Sequence, residues 1–351
     1  MKILIVKTSA LGDVIQCFPS LDFLHNLLPD AEIDWIVEKP FAELLKAHPY
    51  VHHVYEVETK KWKHSPLRAQ NWKAAYSTFK MLREKTYDLA IDFQGNLKSG
   101  LLIGSTKSRV KVGYSRATAP EWPNSLFISQ RVEVDRSLPI AEQYLTLASA
   151  SFPDRAAKGS ASVKLRVTED ENAWIDRQLC RGSKMMICPG SNWENKKLAT
   201  ETWQAFLKKV VKEHGPNFYF VWGSPEEKRE VEALKQAVSG VILPRMTLPV
   251  WQQMMDRMDV VLSVDSSALH LAATTKTRTY SFFGPSSPQV YKPEGEQHGF
   301  FQGSCPYGQS FTKRCPRLRS CSSGACLKSA FADVLYDEFS RWLRRVMNEA
   351  R

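Results

Sequence analysis

Four short segments each place an acid, a lysine or paired serines directly after an apolar run, where an open α/β sheet presents its ligand loops. The first is Thr8-Ser9-Ala10-Leu11-Gly12-Asp13-Val14, in which Gly12 permits a tight turn and Asp13 stands at a helix start. A carboxylate there can serve as a general base, and an Asp there equally caps a helix. The second is Pro189-Gly190-Ser191-Asn192-Trp193-Glu194-Asn195-Lys196-Lys197. Its Gly-Ser turn offers backbone N–H groups and a hydroxyl to a diphosphate, and Lys196 can neutralise a departing phosphate; two adjacent lysines can also simply be solvated. In Trp222-Gly223-Ser224-Pro225-Glu226-Glu227 an acid can accept hydrogen bonds from ribose hydroxyls, or the acids can belong to the first turn of a proline-started helix. The fourth, Ser263-Val264-Asp265-Ser266-Ser267-Ala268-Leu269-His270, passes from a buried strand into a helix. Its serines and N–H groups suit an anion, with Asp265 and His270 at the edge, and the alternative is a capped helix with a core histidine. The turn Phe283-Gly284-Pro285-Ser286-Ser287-Pro288 would close the same pocket.

Neither a Gly-x-Gly-x-x-Gly fingerprint nor a Gly-x-x-x-x-Gly-Lys-Ser/Thr loop occurs, which argues against a dehydrogenase and a P-loop hydrolase.

The elements that must position these loops follow a strand-then-helix rhythm. Strands are expected at Lys2 to Lys7, Ile33 to Val37, Val54 to Val57 and Leu89 to Phe93, with helices over Asp13 to Leu28 and Leu67 to Lys85. The apolar pattern lapses over Phe152 to Ser162, which marks a linker. The rhythm resumes at Met185 to Cys188, Phe218 to Trp222, Val241 to Leu243, Val260 to Val264 and Thr279 to Phe283. Alternating strands and helices imply parallel sheets, and 351 residues suit two such domains. From Ala330 to Arg351 the positions Phe331, Leu335, Phe339, Trp342 and Val346 recur at helical spacing, for core packing or, alternatively, a membrane surface.

The net charge is +11, and residues 60–116 hold 13 Lys or Arg against Glu84, Asp88 and Asp92. Such a patch suits nucleic acid, anionic lipid or an anionic small molecule, and a solvated basic face is the plain alternative. No apolar run is long enough to span a bilayer, and the four apolar residues before Lys7 are too few for a secretory signal, so a cytoplasmic location is expected. Cys305, Cys315, Cys321 and Cys326 cluster in a basic stretch. They form a candidate structural metal cluster, although they lack the paired Cys-x-x-Cys of common zinc sites, and unrelated reduced thiols are the other reading. Cys17, Cys180 and Cys188 read as packing residues.

Together the Thr8–Val14 segment, Asp92-Phe93-Gln94-Gly95-Asn96-Leu97-Lys98-Ser99, the Lys196 loop, Trp222-Gly223-Ser224-Pro225 and the Ser263–His270 segment resemble the lipopolysaccharide heptosyltransferases, family nine of the glycosyltransferases. Lys60-Lys61-Trp62-Lys63 and Leu243-Pro244-Arg245-Met246 look most like the heptosyltransferase I branch. The resemblance implies a GT-B fold of two Rossmann-like, doubly wound domains facing a central cleft. It places an acceptor-binding domain at 1–157, a nucleotide-sugar domain at 158–328 and a terminal helix, 329–351, packing back on the N-terminal domain. It implies inverting transfer of L-glycero-D-manno-heptose from ADP-heptose to Kdo of the lipopolysaccharide inner core, with no cofactor required. Addition of heptose to heptose, a protein heptosyltransferase and a GT-B nucleotide-sugar epimerase are the alternatives. By position Asp13 matches the catalytic base; Gly190, Ser191, Lys196, Glu227, Met246, Asp265, Ser266, Ser267 and His270 match the donor pocket; Lys60, Lys61, Lys63, Gln94 and Lys98 match the acceptor side. The implied partners are the nucleotide sugar and Kdo-lipid A, with no nucleic acid, on the cytoplasmic face of the inner membrane as a peripheral monomer. Ser267 departs from the family's usual glycine, and Gly303 to Cys326 is longer and richer in cysteine than the heptosyltransferase I pattern.

Overall fold

Ile3-Leu4-Ile5-Val6 is a run of branched side chains without a polar member, and all four are fully buried. A strand covered on both faces has that character, and it belongs at the centre of a parallel sheet. The computed structural model describes residues 1–59 and 69–348, with side chains in the helix Ala69–Leu82 described from residue 76. It resolves into two units, Met1–Arg166 and Val167–Arg351.

In the first unit β1 (Lys2–Val6), β2 (Glu32–Glu38), β3 (His53–Val57), β4 (Thr86–Asp92), β5 (Lys107–Tyr114) and β6 (Gln130–Val132) form one parallel sheet. Its order is β3-β2-β1-β4-β5-β6. The second unit repeats the plan with β7 (Lys184–Cys188), β8 (Asn217–Phe220), β9 (Gly240–Ile242), β10 (Val260–Val264), β11 (Arg278–Phe283) and β12 (His298–Gln302). These strands are also parallel, in the order β12-β11-β10-β7-β8-β9. Each sheet therefore winds outward in both directions from a central pair, β1 with β4 and β7 with β10, as in a Rossmann-like domain. The two-domain GT-B architecture expected from the sequence is the one observed.

Differences from the expected elements have local causes. The helix expected over Asp13 to Leu28 is two helices, Leu11–Ile15 and Phe18–Leu27. Pro19 lacks an amide proton and so interrupts the first helix, but at the second position of Phe18–Leu27 the missing donor costs no helix bond, so a fresh helix starts there. β5, β6 and β12 are additional strands; β5 reads Lys-Ser-Arg-Val-Lys-Val-Gly-Tyr and is only half covered at its start, so its apolar signal is weak. The boundary between units lies at residues 166/167, not 157/158, because the linker finds partners on the first unit. Ser160 N–H donates to Asp22, and Arg166 donates from its backbone to the Ala47 carbonyl and from its guanidinium to Pro49.

The terminal helix Ala332–Asn348 lies within the second unit's own core. Leu335, Phe339, Trp342, Leu343 and Val346 share one buried cluster with Phe206, Tyr280 and Phe282. Phe339 lies edge-on to Phe206 at 5.5 Å and to Tyr280 at 5.3 Å between ring centroids. Of the stripe at helical spacing, Leu335, Phe339, Trp342 and Val346 are therefore core, and Phe331 is exposed.

Phe339→Ala should lower stability in urea unfolding by about 4 kcal/mol, the usual cost of emptying a phenylalanine site in a packed core. A loss below about 1 kcal/mol would mean that this helix is not part of that core.

Candidate active site: two loops at the switch point of each sheet

Where a parallel sheet reverses its winding, the two central strands send their chains to opposite faces and leave a crevice at their carboxyl ends. In the first unit that crevice lies between the loops after β1 and β4, which carry Asp13 and Gln94. Gln94 Oε1 accepts from Thr8 N–H at 3.2 Å, Thr8 Oγ1 at 3.3 Å and Ser9 N–H at 3.1 Å. Its carbonyl end is thus committed to holding the β1 loop, a role that the expected acceptor contact did not include. Beneath it the buried Asp92 carboxylate accepts from Gln94 N–H, Gly95 N–H, Ser99 Oγ and Asn124 Nδ2 at 2.6–3.0 Å. Burial pushes Asp92 above the usual carboxylate range, and these neutral donors only partly oppose it. Gly95 has φ +71°, and a Cβ there would lie 2.6 Å from Pro120 and 2.7 Å from Tyr114, so the turn requires glycine.

Asp13 is the third residue of the helix Leu11–Ile15 and is half-buried. Its Oδ2 accepts from Ala10 N–H at 3.2 Å, so the capping interaction is present. Capping leaves a carboxylate its other oxygen as an acceptor, so the two readings of Asp13 are compatible. Burial pushes Tyr144 far above the usual phenol range, and the Asp13 charge adds to it. Burial raises Cys17 in the same way, with Lys7 opposing and Asp13 adding. Tyr144 accepts a 2.7 Å hydrogen bond from the buried Lys7 ammonium. Lys7 and Tyr144 thus lie within the electrostatic reach of Asp13, and sequence reasoning passed over both; a lysine ending a wholly buried strand was the available signal.

Lys98 donates to Thr59 Oγ1 at 3.3 Å, and Thr59 is held by Glu38 through its backbone N–H at 3.1 Å and its hydroxyl. Lys98 therefore stands beside the residue that precedes the basic segment. Lys60, Lys61 and Lys63 lie outside the described residues.

In the second unit the switch point lies between the loops after β7 and β10. Lys196 donates to Asp265 Oδ2 at 2.5 Å across it, and the Ser286 hydroxyl from the loop after β11 donates to the same oxygen. Burial pushes the Asp265 carboxyl up, but the Lys196 charge and hydrogen bond, the Ser286 hydroxyl and His270 outweigh it and hold the group below its ordinary value. The Lys196 loop is fixed on both sides. Asn195 Nδ2 donates to the Leu318 carbonyl at 2.7 Å and the Cys321 carbonyl at 3.3 Å. Lys197 is buried in ion pairs with Glu194 at 2.6 Å and Glu230 at 2.8 Å. Burial works against the charge on Lys197, but those two acids prevail and its pKa is raised. The adjacent lysines thus divide their work: Lys197 anchors, and Lys196 faces the Asp265 crevice.

Glu227 is the third residue of the helix Pro225–Ala237, capped by Ser224. Its Oε2 accepts from Gly223 N–H at 2.6 Å, and a Cβ at position 190 would lie 2.3 Å from its Oε1. Gly190 and Glu227 are thus in direct contact, and a side chain at 190 would have to displace the Glu227 carboxylate. Ser191 Oγ accepts from Trp193 N–H at 3.3 Å. Ser266 is the extended residue preceding the helix Ser267–Ala272, without a side-chain capping bond, and His270 is buried within that helix. Met246 is half-buried in the loop after β9, which Trp222 Nε1 ties to β8 through the Leu243 carbonyl at 2.9 Å. The structure therefore joins Gly190 with Glu227, and Lys196 with Asp265 and Ser286. The turn that carries Ser286 was expected at this pocket, whereas the role of Asn195 was not legible in the sequence.

The four clustered cysteines are free thiols, and among the described residues no group of three or more His, Cys, Asp or Glu is placed to hold a metal ion. Backbone bonds explain the arrangement. Cys315 N–H donates to Pro285, Ser287 N–H to Lys313, and the Leu318 and Cys321 carbonyls receive Asn195, so the segment is folded by the donor-side loops rather than around its sulfurs.

Residues 75–319 match the family model described as Glycosyltransferase family 9 (heptosyltransferase). The chain is 27% identical over 322 residues to lipopolysaccharide heptosyltransferase 1 of Pseudomonas aeruginosa, covering 90% of this chain and 87% of that one. It also superposes on the E. coli heptosyltransferase WaaC with ADP, with a TM-score of 0.79 at 22% identity, covering 97% and 100% of the two chains. The same enzyme with ADP-2-deoxy-2-fluoro heptose gives a TM-score of 0.79 at 22% identity, covering 97% and 99%.

Lys196→Met should destabilise the protein by about 3 kcal/mol at pH 7, because it strands a buried carboxylate. Asp265 has a depressed pKa, so its pairing stabilises above the ordinary carboxylate range, and that contribution is lost as pH falls through the folded value. The deficit of the variant in urea unfolding should therefore shrink as pH falls below about 4; a deficit independent of pH would remove the charge pair as its cause.

Proposed function

The chain belongs to glycosyltransferase family 9, the heptosyltransferases, and from that membership we propose that it transfers L-glycero-D-manno-heptose from ADP-heptose to Kdo of the lipopolysaccharide inner core. One observation carries this reading: Asp13 and Lys196 each stand at the point where their own sheet reverses its winding. A base and a phosphate-handling cation in two such crevices are what an inverting transfer from a nucleotide sugar requires. The names of the relatives, a lipopolysaccharide heptosyltransferase 1 and an enzyme bound to ADP or an ADP-heptose analogue, support the donor and the acceptor class.

In this reading a Kdo hydroxyl oxygen attacks the anomeric carbon from the face opposite the diphosphate. Its proton passes to the Asp13 carboxylate as the new glycosidic bond forms. The bond from the anomeric carbon to the phosphate oxygen breaks, and ADP leaves with the electron pair. The charge gathering on that diphosphate is met by Lys196 and by N–H groups of the Gly190-Ser191 and Ser266-Ser267 turns. Lys196 has three donors, and its bond to Asp265 aims the ammonium without consuming it. Glu227 is assigned to the ribose hydroxyls and Met246 to the wall of the donor pocket, with His270 supporting Asp265. Lys60, Lys61, Lys63 and Lys98 are assigned to the anionic acceptor, and the Gln94 amide to it through its nitrogen end.

Among the described residues no helix is long and apolar enough to cross a membrane. We assign the enzyme to the cytoplasmic face of the inner membrane, as a peripheral monomer, because its proposed acceptor is a lipid.

Asp13→Asn should reduce kcat by about a hundred- to ten-thousand-fold while calorimetric affinity for ADP-heptose stays near wild type; unchanged turnover would reject Asp13 as the base. Incubation of the protein with ADP-heptose and, separately, with Kdo-terminated and heptose-terminated lipid A should add one heptose mass to the first acceptor only. Product from the second alone would reassign the acceptor to heptose.

A further inference from the structure

Single exposed apolar side chains are ordinary on a protein surface, but four large ones converge from two packed elements of the first unit. Leu97 and Leu101 lie one turn apart on the helix Leu97–Ser105 and are 42% and 46% exposed. Trp122 and Leu126 on the 3-10 segment Trp122–Phe127 are 52% and 66% exposed. The two elements are pressed together: a Cβ at Gly104 would lie 2.6 Å from the Phe127 ring, and one at Gly100 2.8 Å from it. Leu97 N–H donates to Glu121 at 2.9 Å, so Leu97 and Trp122 project from adjoining backbone. The Arg116 guanidinium stacks over the Trp122 ring at 4.8 Å.

Charge identifies the occupant. Residues 97–131 contain six Lys or Arg and a single acid, Glu121, whose carboxylate is engaged by the helix start. Leucines and a tryptophan with Arg116 over the Trp122 ring, Arg131 on the Ser125 carbonyl and Lys111 on the Gly104 carbonyl have the composition of a surface that sits at the headgroup level of an anionic bilayer, with aromatic and aliphatic groups inserted and cations on the phosphates. Within residues 97–131 a protein partner would find only Glu121, already engaged, to match its own bases, and nucleic acid would gain nothing from exposed leucines.

We propose that this surface, Leu97, Leu101, Trp122 and Leu126 with Arg116, rests on the anionic lipid bilayer that contains the acceptor. The assignment rests on the lipid acceptor proposed above. It accounts for the position of the patch: the helix starts three residues after Gln94, at the carboxyl edge of the sheet that carries Asp13. An acceptor with its acyl chains in the bilayer would present its sugar close to that edge.

Sedimentation of the full chain with phosphatidylglycerol/phosphatidylethanolamine vesicles, and with phosphatidylcholine vesicles, provides the test. Wild type should partition onto the anionic vesicles, and Trp122→Ser/Leu126→Ser should reduce that partition at least ten-fold. The same variant should keep wild-type turnover on a water-soluble Kdo acceptor without acyl chains and lose rate on the vesicle-embedded one. Leu126→Ser alone, at the most exposed position, should reduce partition about three-fold and guards against misfolding of the double variant. Equal vesicle binding by wild type and both variants would overturn the assignment, as would wild-type indifference to anionic lipid. So would conversion of an oligomer to a monomer by the serines, which would make the patch a contact between copies. Vesicle partition needs no turnover, so absence of heptosyl transfer to either acceptor would count against the proposed function alone.

Discussion

The reversal of strand order at the centre of each sheet is the constraint on which the rest depends. Chains leaving β1 and β4, or β7 and β10, must turn to opposite faces, so no backbone covers the carboxyl ends of those two strands. Past their last bonds to a neighbouring strand, Glu38 N–H to the Thr8 carbonyl and Asp265 N–H to the Phe282 carbonyl, the loops there are held by side chains. Gln94 reaches across to Thr8 and Ser9 in the first unit, and Lys196 reaches across to Asp265 in the second. Each crevice is thus bridged by one polar side chain.

Two buried aspartates show how different partners produce different chemistry from the same residue type. Asp92 receives only neutral donors, so burial dominates and its pKa rises; it frames the Gln94 turn. Asp265 has a lysine, so charge overcomes burial and its pKa falls. An ionised Asp265 holds the Lys196 ammonium in one direction, and in the proposed reaction a cation fixed in this way meets phosphate charge without reorganisation. A neutral acid there would leave the lysine free to follow solvent.

The cysteine-rich stretch has a role independent of its sulfurs. Its carbonyls at 318 and 321 accept Asn195, its backbone bridges to Ser286 and Ser287, and Ser286 in turn donates to Asp265. The segment therefore forms the outer wall that fixes both ends of the Lys196–Asp265 pair. Lys197 completes the support from the helix side through Glu230.

Much of this fold was legible in the residues. β1, β7 and β10 are buried on both faces, so apart from Lys2 and Lys184 at their starts and Ser263 their sequences are apolar runs, and the loops after them announce themselves by abrupt Gly, Ser, Asp and Lys. β5 was not legible, because a half-covered strand can carry Lys107, Arg109 and Lys111 among its valines. The linker's partners and the core beneath the terminal helix were not legible, because a hydrophobic or capping pattern specifies that a face must be covered, without naming the surface that covers it. The same limit separates Lys196 from Lys197: two identical neighbours in the chain differ only in what the folded protein places opposite them, Asp265 for one and Glu194 with Glu230 for the other. Sequence determined which residues could bear charge and where loops begin; tertiary structure decided which charges meet, because partners 33 and 69 residues away are brought together only by the winding of the sheet.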